Sequence, residues 1–139
     1  MSYILVVEDD PDHRDLIRLV LGRSYRGMPV RMASSGEDAL QVMRREGLPR
    51  MVLVDVDMPG LSGQATVRRI REGSVGSVLP VVMLSTSDES EGVRACLDAG
   101  ADSYVRKPLA LSDWERTMGA VADYWLLHDA SSGGRADAG

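Results

Sequence analysis

Three unbroken apolar runs, at residues 3–7, 51–54 and 81–84, constrain this chain more tightly than any other feature. A strand with one wet face alternates apolar and polar side chains, so an unbroken run belongs to a parallel strand covered on both faces. Shorter runs at 30–33 and 103–105 predict two further strands. Each run is followed by residues with helical spacing. Asp10 is placed to cap a first helix with Pro11 at its first position, where the missing N–H costs nothing, and Leu16, Ile17, Val20 and Leu21 share one face until Gly22. Ser35 and Asp38 form a capping pair for a helix carrying Ala39, Leu40 and Met43, ended by Gly47 and Pro49. After a Pro59-Gly60 turn, Ser62-Gly63 opens a third helix through Val67 and Ile70 to Gly73, and residues 72–80 read as a loop. Asp88 with Glu91 makes a capping box for a fourth helix with Val93, Cys96 and Leu97, stopped at Gly100. A fifth starts near Ser112 and sets Trp114, Met118, Val121 and Trp125 along one stripe. Five strands alternating with five helices imply an α/β domain with a doubly wound parallel sheet and right-handed crossovers. One domain is expected over residues 1–128, with a disordered tail at 129–139 that has nothing apolar to pack.

Composition narrows the function classes. At 139 residues the chain can bury one core. A formal net charge of -5 and a pI near 5.0 argue against binding nucleic acid by phosphate neutralisation. The single cysteine, Cys96, excludes an internal disulfide framework and a multi-cysteine zinc site, and reads as core filler. The N-terminus lacks a basic n-region, and no apolar run approaches the roughly 18 residues of a membrane span. A cytoplasmic protein with no membrane partner is expected.

Polar residues fall where these strands end. Strand one ends at Glu8 and Asp9, strand three at Asp55, strand four at Ser85-Thr86, and strand five at Arg106-Lys107-Pro108. In an open parallel sheet, ligands sit beyond the carboxyl ends of the strands, where the strand order reverses. Clustered carboxylates there need a counter-ion, because like charges in a partly desolvated cleft cannot all stay ionised. Hard oxygen ligands suit Mg²⁺, which commonly takes one or two carboxylates, waters and phosphate oxygens. A lysine and a hydroxyl beside it fit a phosphoryl group, and a carboxylate is a known phosphoryl acceptor.

The stretches "VVEDD", "LVDVDMPGLSG", "LSTSD" and "SYVRKP", in that order and spacing, resemble the receiver domain of two-component response regulators, over about residues 3–127. The resemblance implies a flavodoxin-like (βα)5 fold with strand order 2-1-3-4-5. It makes Glu8 and Asp9 the acidic pair for Mg²⁺, Asp55 the phosphoacceptor and a metal ligand, and Asp57 a contributor of its backbone carbonyl to the metal. Ser85 matches the hydroxyl that meets the phosphoryl group, Thr86 adds a backbone amide, and Lys107 pairs with a phosphoryl oxygen. Pro108 matches a cis-proline that aims the lysine; a cis X-Pro bond costs little compared with other cis peptides and gives a sharp turn. Tyr104 matches the aromatic switch. On this reading Lys107→Ala leaves Mg²⁺ affinity largely intact while weakening signalling. Leu109 stands where many relatives have phenylalanine, a residue absent from this chain. Asp57 and Ser87 occupy positions that tune phosphoryl lifetime, and "VADYWLL" resembles stand-alone regulators paired with phytochrome-type histidine kinases.

The implied function is a single-domain response regulator that takes phosphate onto Asp55 from a sensor histidine kinase or a histidine-phosphotransfer protein. It would then switch a surface formed by the fourth helix, fifth strand and fifth helix, for a downstream protein or a homodimer. It would be a switch catalysing only its own phosphorylation and hydrolysis. Two alternatives stand beside this. "DVDMP" partly matches the nucleophile motif of haloacid-dehalogenase-like phosphohydrolases, although that motif lies on the first strand there and on the third here. A non-phosphorylated docking receiver is the other. Asp10 taken alone is a helix cap, the tryptophan stripe is core with part of it free for a dimer, and His13 and His128 read as isolated.

Overall fold

The apolar runs become strands β1 (Ile4–Val7), β2 (Val30–Ala33), β3 (Met51–Asp55), β4 (Val81–Ser85) and β5 (Ser103–Arg106). A computed structural model of the chain describes residues 2–24, 28–58, 60–72, 78–86 and 90–127. All strand pairs are parallel, in the order β2-β1-β3-β4-β5, the flavodoxin-like arrangement. Helices α1 (Pro11–Ser24), α2 (Gly36–Glu46), α3 (Gly63–Glu72), α4 (Ser90–Ala99) and α5 (Leu111–Ala122) make the crossovers. The last helix continues into a π-helical turn, Asp123–Leu127.

The unbroken runs are explained by two core layers. Leu5, Val7, Val52, Val54, Val81 and Met83 face Ala39, Val42, Val67, Ile70 and Cys96 of α2, α3 and α4. Their neighbours Ile4, Val6, Met51, Leu53, Val82 and Leu84 face Ile17, Val20, Leu21, Trp114, Met118 and Val121 of α1 and α5. Strands sandwiched this way have no wet face, so alternation disappears from the sequence. Cys96 is fully buried, as expected of core filler.

The caps form largely where the residue types place them. The Asp10 carboxylate accepts from the amides of Asp12 at 2.9 Å and His13 at 3.4 Å, and the Ser35 hydroxyl accepts from Asp38 N at 3.1 Å. Asp38 reciprocates one residue earlier than a capping box requires, accepting from Ser34 N at 3.2 Å. Gly47 ends α2 at φ 82°, a left-handed value that favours glycine. Strands β3, β4 and β5 each run one residue past the apolar stretch. Asp55 pairs with Leu84 and Ser85 with Arg106, so the polar residues at the sheet edge are held by the backbone ladder. Helix α5 begins one residue early, after Ala110, with no side-chain cap. Pro59, Gly73, Ser87, Asp88, His128 and the tail at 129–139 lie outside the described residues, as does the Glu91 side chain.

One expectation is corrected. The Lys107–Pro108 bond is trans, like the other peptide bonds described. The lysine needs no cis turn to be aimed. Its amide donates to Ser85 O at 2.6 Å, which continues the β4–β5 pairing by one step and sends the side chain inward from an ordinary extended exit. With the aim set by the ladder, the modest intrinsic trans preference of an X-Pro bond decides the isomer.

Candidate functional site

Four strand ends converge on one cleft. The Glu8 amide donates to Ala33 O at 2.9 Å, carrying the β1–β2 pairing past the last apolar residue and fixing Glu8 beneath the cleft, where it has no exposed surface. Asp55, the last residue of β3, is 4% exposed, and Ser85, the last of β4, is buried as well. Lys107 follows β5 and is 6% exposed. Burying these four polar groups at one edge is costly unless each has a partner. Among the described residues no buried side-chain polar atom lacks one.

The Lys107 ammonium supplies much of that partnership. Its Nζ donates to Glu8 Oε1 at 2.6 Å, lies 3.3 Å from Asp55 Oδ1, and is 3.1 Å from His13 Nδ1. The ammonium is thus hydrogen-bonded to Glu8, ion-paired with Asp55 and within hydrogen-bond distance of the His13 ring. Lys107 is also the only lysine in the chain; every other long cationic side chain is an arginine. Glu8 Oε2 accepts from Asp10 N at 3.2 Å, and Asp55 Oδ1 accepts from Asp57 N at 3.2 Å.

Negative charge still outweighs positive. Carboxylate oxygens of Glu8, Asp9 and Asp55 lie within 4.8 Å of one another, against a single ammonium. Burial, and then the neighbouring Glu8 carboxylate, push the Asp55 carboxyl up from 3.8 to about 7, against the opposing pull of Lys107 and the Asp57 amide. Three hard oxygen donors with an unmet charge fit Mg²⁺ by donor chemistry.

The other predicted residues take their places as follows. Asp9 is half-buried beside Glu8, and Asp57 is exposed, its amide turned back to Asp55. Thr86 follows Ser85 and is exposed. Tyr104, in β5, pairs with Met83 of β4 and is half-buried against the core layer of α2, α3 and α4.

Two residues with a place in the site were missed. His13 does not stand apart: it sits in the first turn of α1, 3.1 Å from the lysine, with its ring centroid 5.6 Å from that of Trp114 on α5. Its sequence signal was position alone, three residues after the capping Asp10, where a side chain folds back over the helix start. Gly63 opens α3 so close to the acceptor strand that a Cβ there would collide with the Asp55 carbonyl oxygen and stand 2.9 Å from Val56 Cα. Its amide donates to Val56 O at 3.3 Å, tying the helix start to the backbone just after Asp55.

Comparison with known proteins agrees with this geometry. Residues 4–117 match the response regulator receiver domain family. An uncharacterized 14.6 kDa protein of Leptolyngbya boryana is 39% identical over 106 residues, covering 76% of this chain and 79% of that protein. The transcriptional activator protein ExaE of Pseudomonas putida is 43% identical over 107 residues, 77% of this chain but only 49% of ExaE, so this chain spans about half of that relative. The crystal structure of the phosphorylated cyanobacterial phytochrome response regulator RcpA superposes with a TM-score of 0.82 at 26% identity, covering 90% of this chain and 94% of RcpA. The chain belongs to the response regulator receiver domains, the signal-transducing modules of two-component systems that interact with histidine kinases or phosphotransfer proteins. Among the described residues no helix is long and apolar enough to cross a membrane.

Proposed function

We propose that Asp55 accepts a phosphoryl group from the phosphohistidine of a sensor kinase or a phosphotransfer protein, and that the change in charge alters a protein-binding surface. The supporting observation is a buried carboxylate at the end of β3 that shares its cleft with two further acids and lies 3.3 Å from the chain's only lysine. A carboxylate oxygen of Asp55 attacks phosphorus as the phosphorus–nitrogen bond to histidine breaks, and the electron pair of that bond leaves with the ring nitrogen. Attack needs the carboxylate ionised. With its value near 7 in the absence of a cation, Asp55 is only partly available at neutral pH.

Glu8, Asp9 and Asp55 would hold Mg²⁺, with the Asp57 backbone carbonyl completing the protein's share. The ion supplies charge neutralisation and lowers the proton affinity of the acceptor. Lys107 draws the phosphoryl oxygens to the Asp55 side of the cleft. Ser85 offers its hydroxyl, and Thr86 its amide, to the same group. Movement of that hydroxyl would be relayed through Tyr104 to α4, β5 and α5. Exposed Leu97 on α4 and Leu111 on α5 give that surface apolar contacts for a partner or a second copy. RcpA, phosphorylated in its crystal structure, supports phosphorylation here, and its likeness favours a phytochrome-type kinase as donor.

The test is stoichiometric labelling by acetyl phosphate or phosphoramidate with and without Mg²⁺. One phosphoryl per chain, lost in Asp55→Asn and on chelation, is the expected result. Repeated turnover of a generic phosphate ester would instead make the protein a hydrolase.

A further inference from the structure

The Lys107 ammonium faces three groups, and two of them are carboxylates, Glu8 at hydrogen-bond distance and Asp55 as an ion pair at 3.3 Å, that the proposed function assigns to a cation and to a phosphoryl group. The third is His13 Nδ1, at 3.1 Å. This acceptor is of a different kind from the other two. It is a ring nitrogen, and its oxygen neighbours Glu8 Oε1 and Asp10 Oδ2 both lie at 3.7 Å, beyond hydrogen-bond distance. To accept from an ammonium, Nδ1 must present its lone pair, which assigns the ring proton to Nε2. The ring is also held in place. It rests against Trp114 with an interplanar angle of 42°, and Trp114 is 4% exposed within the core layer that α1 and α5 share.

We infer that His13 is a positioning residue for Lys107: the Trp114-backed imidazole keeps the ammonium within reach of Asp55 while a cation draws Glu8 and Asp55 away from it. This rests on the reading that those carboxylates face a cation. A four-carbon side chain that lost both carboxylates would otherwise be free to swing. With the His13 contact retained, the ammonium stays on the Asp55 side of the cleft and meets an incoming phosphoryl oxygen without a search. The arrangement also links the site to α5 through one aromatic contact.

Because Lys107 is the only lysine, ¹⁵N-lysine labelling of the full chain yields one ammonium signal. Two variants separate the acceptor from the packing. His13→Asn places an amide oxygen near the Nδ1 position, and His13→Leu keeps an apolar contact with Trp114 but removes the acceptor. In saturating Mg²⁺, the wild type and His13→Asn are expected to show a solvent-protected Lys107 ammonium, and His13→Leu to lose it to exchange. Labelling of Asp55 by acetyl phosphate should slow roughly tenfold in His13→Leu, the worth of a hydrogen bond to a charged group, and no more than about threefold in His13→Asn. A protected signal retained in His13→Leu, or its equal loss in both variants, overturns the inference. Failure of the wild type to become labelled would overturn the proposed function, while the ammonium signal would still decide the role of His13.

Discussion

Replacing Asp55 by asparagine should make the cation-free protein more stable, and more so as pH rises. The carboxyl stands at about 7 in the fold against an ordinary 3.8. At about 1.4 kcal/mol for each tenfold change in proton affinity, ionising it inside the fold costs about 4 kcal/mol more than ionising it in the unfolded chain. Between those two values the folded state holds the proton and the unfolded state has released it, so stability falls as pH rises from about 4 to about 7. The smaller part of that loss has accrued by pH 5 and nearly all of it by pH 8, leaving a wild-type decline of about 3 kcal/mol between the two that Asp55→Asn should not share. At pH 8 the variant should gain about 2 to 4 kcal/mol, the lower figure allowing for an amide that fits the carboxylate's hydrogen bonds less well. For a chain of this size that is a rise in Tm of roughly 5 to 15 °C. Thermal unfolding followed by circular dichroism in chelator, at pH 5 and pH 8, measures both quantities. Equal Tm values for wild type and Asp55→Asn at pH 8, or the same difference at both pH values, would refute the account of burial and the Glu8 neighbour as the source of the unmet charge.

Lys107→Ala should raise Mg²⁺ affinity, roughly tenfold or more by calorimetric titration, because the ammonium now bonded to Glu8 at 2.6 Å competes for the carboxylates that hold the ion. An unchanged affinity would show that the lysine does not compete with the ion. Gly63→Ala should cost about 1 to 3 kcal/mol in urea unfolding and slow phosphorylation of Asp55, since the added methyl displaces the acceptor backbone. Arg71→Met should cost about 2 to 3 kcal/mol, because its guanidinium donates to Gly100 O at 2.9 Å, Leu79 O at 2.6 Å and Asp102 Oδ2 at 2.8 Å. A stability loss below about 0.5 kcal/mol in that variant would mean that water replaces the guanidinium without penalty.

The strands and the acid cluster were legible because both are written in local pattern, whereas the sheet order followed only from the family resemblance. An unbroken run such as residues 51–54 marks a strand covered twice, and Asp55 directly after it marks the edge where ligands collect. Strand ends were read one residue short at Asp55, Ser85 and Arg106, since polarity signals the end of burial while the ladder depends on backbone alone. His13 was invisible for another reason. Its partner Lys107 lies 94 residues away, just after β5, and only the folded sheet brings that strand end beside the first turn of α1. The Lys107 prediction changed on the same ground: spacing identified an anion partner, and the three-dimensional contact with Glu8 made it a rival of the cation too. The family resemblance implied a cis bond at Pro108 to aim the lysine, and the Lys107 amide to Ser85 O bond achieves that direction in trans.

A chain with a lone, buried lysine has an unusual chemical surface. Among its side chains it offers an acylating reagent or an aldehyde one primary amine, and that amine is walled in at the phosphoacceptor. In the folded protein such reagents meet no exposed lysine of this chain, so the cleft stays untouched. Acylation of that lysine then records the first opening of the sheet edge in each molecule. Its rate of appearance makes a direct clock for how often the signalling site comes apart.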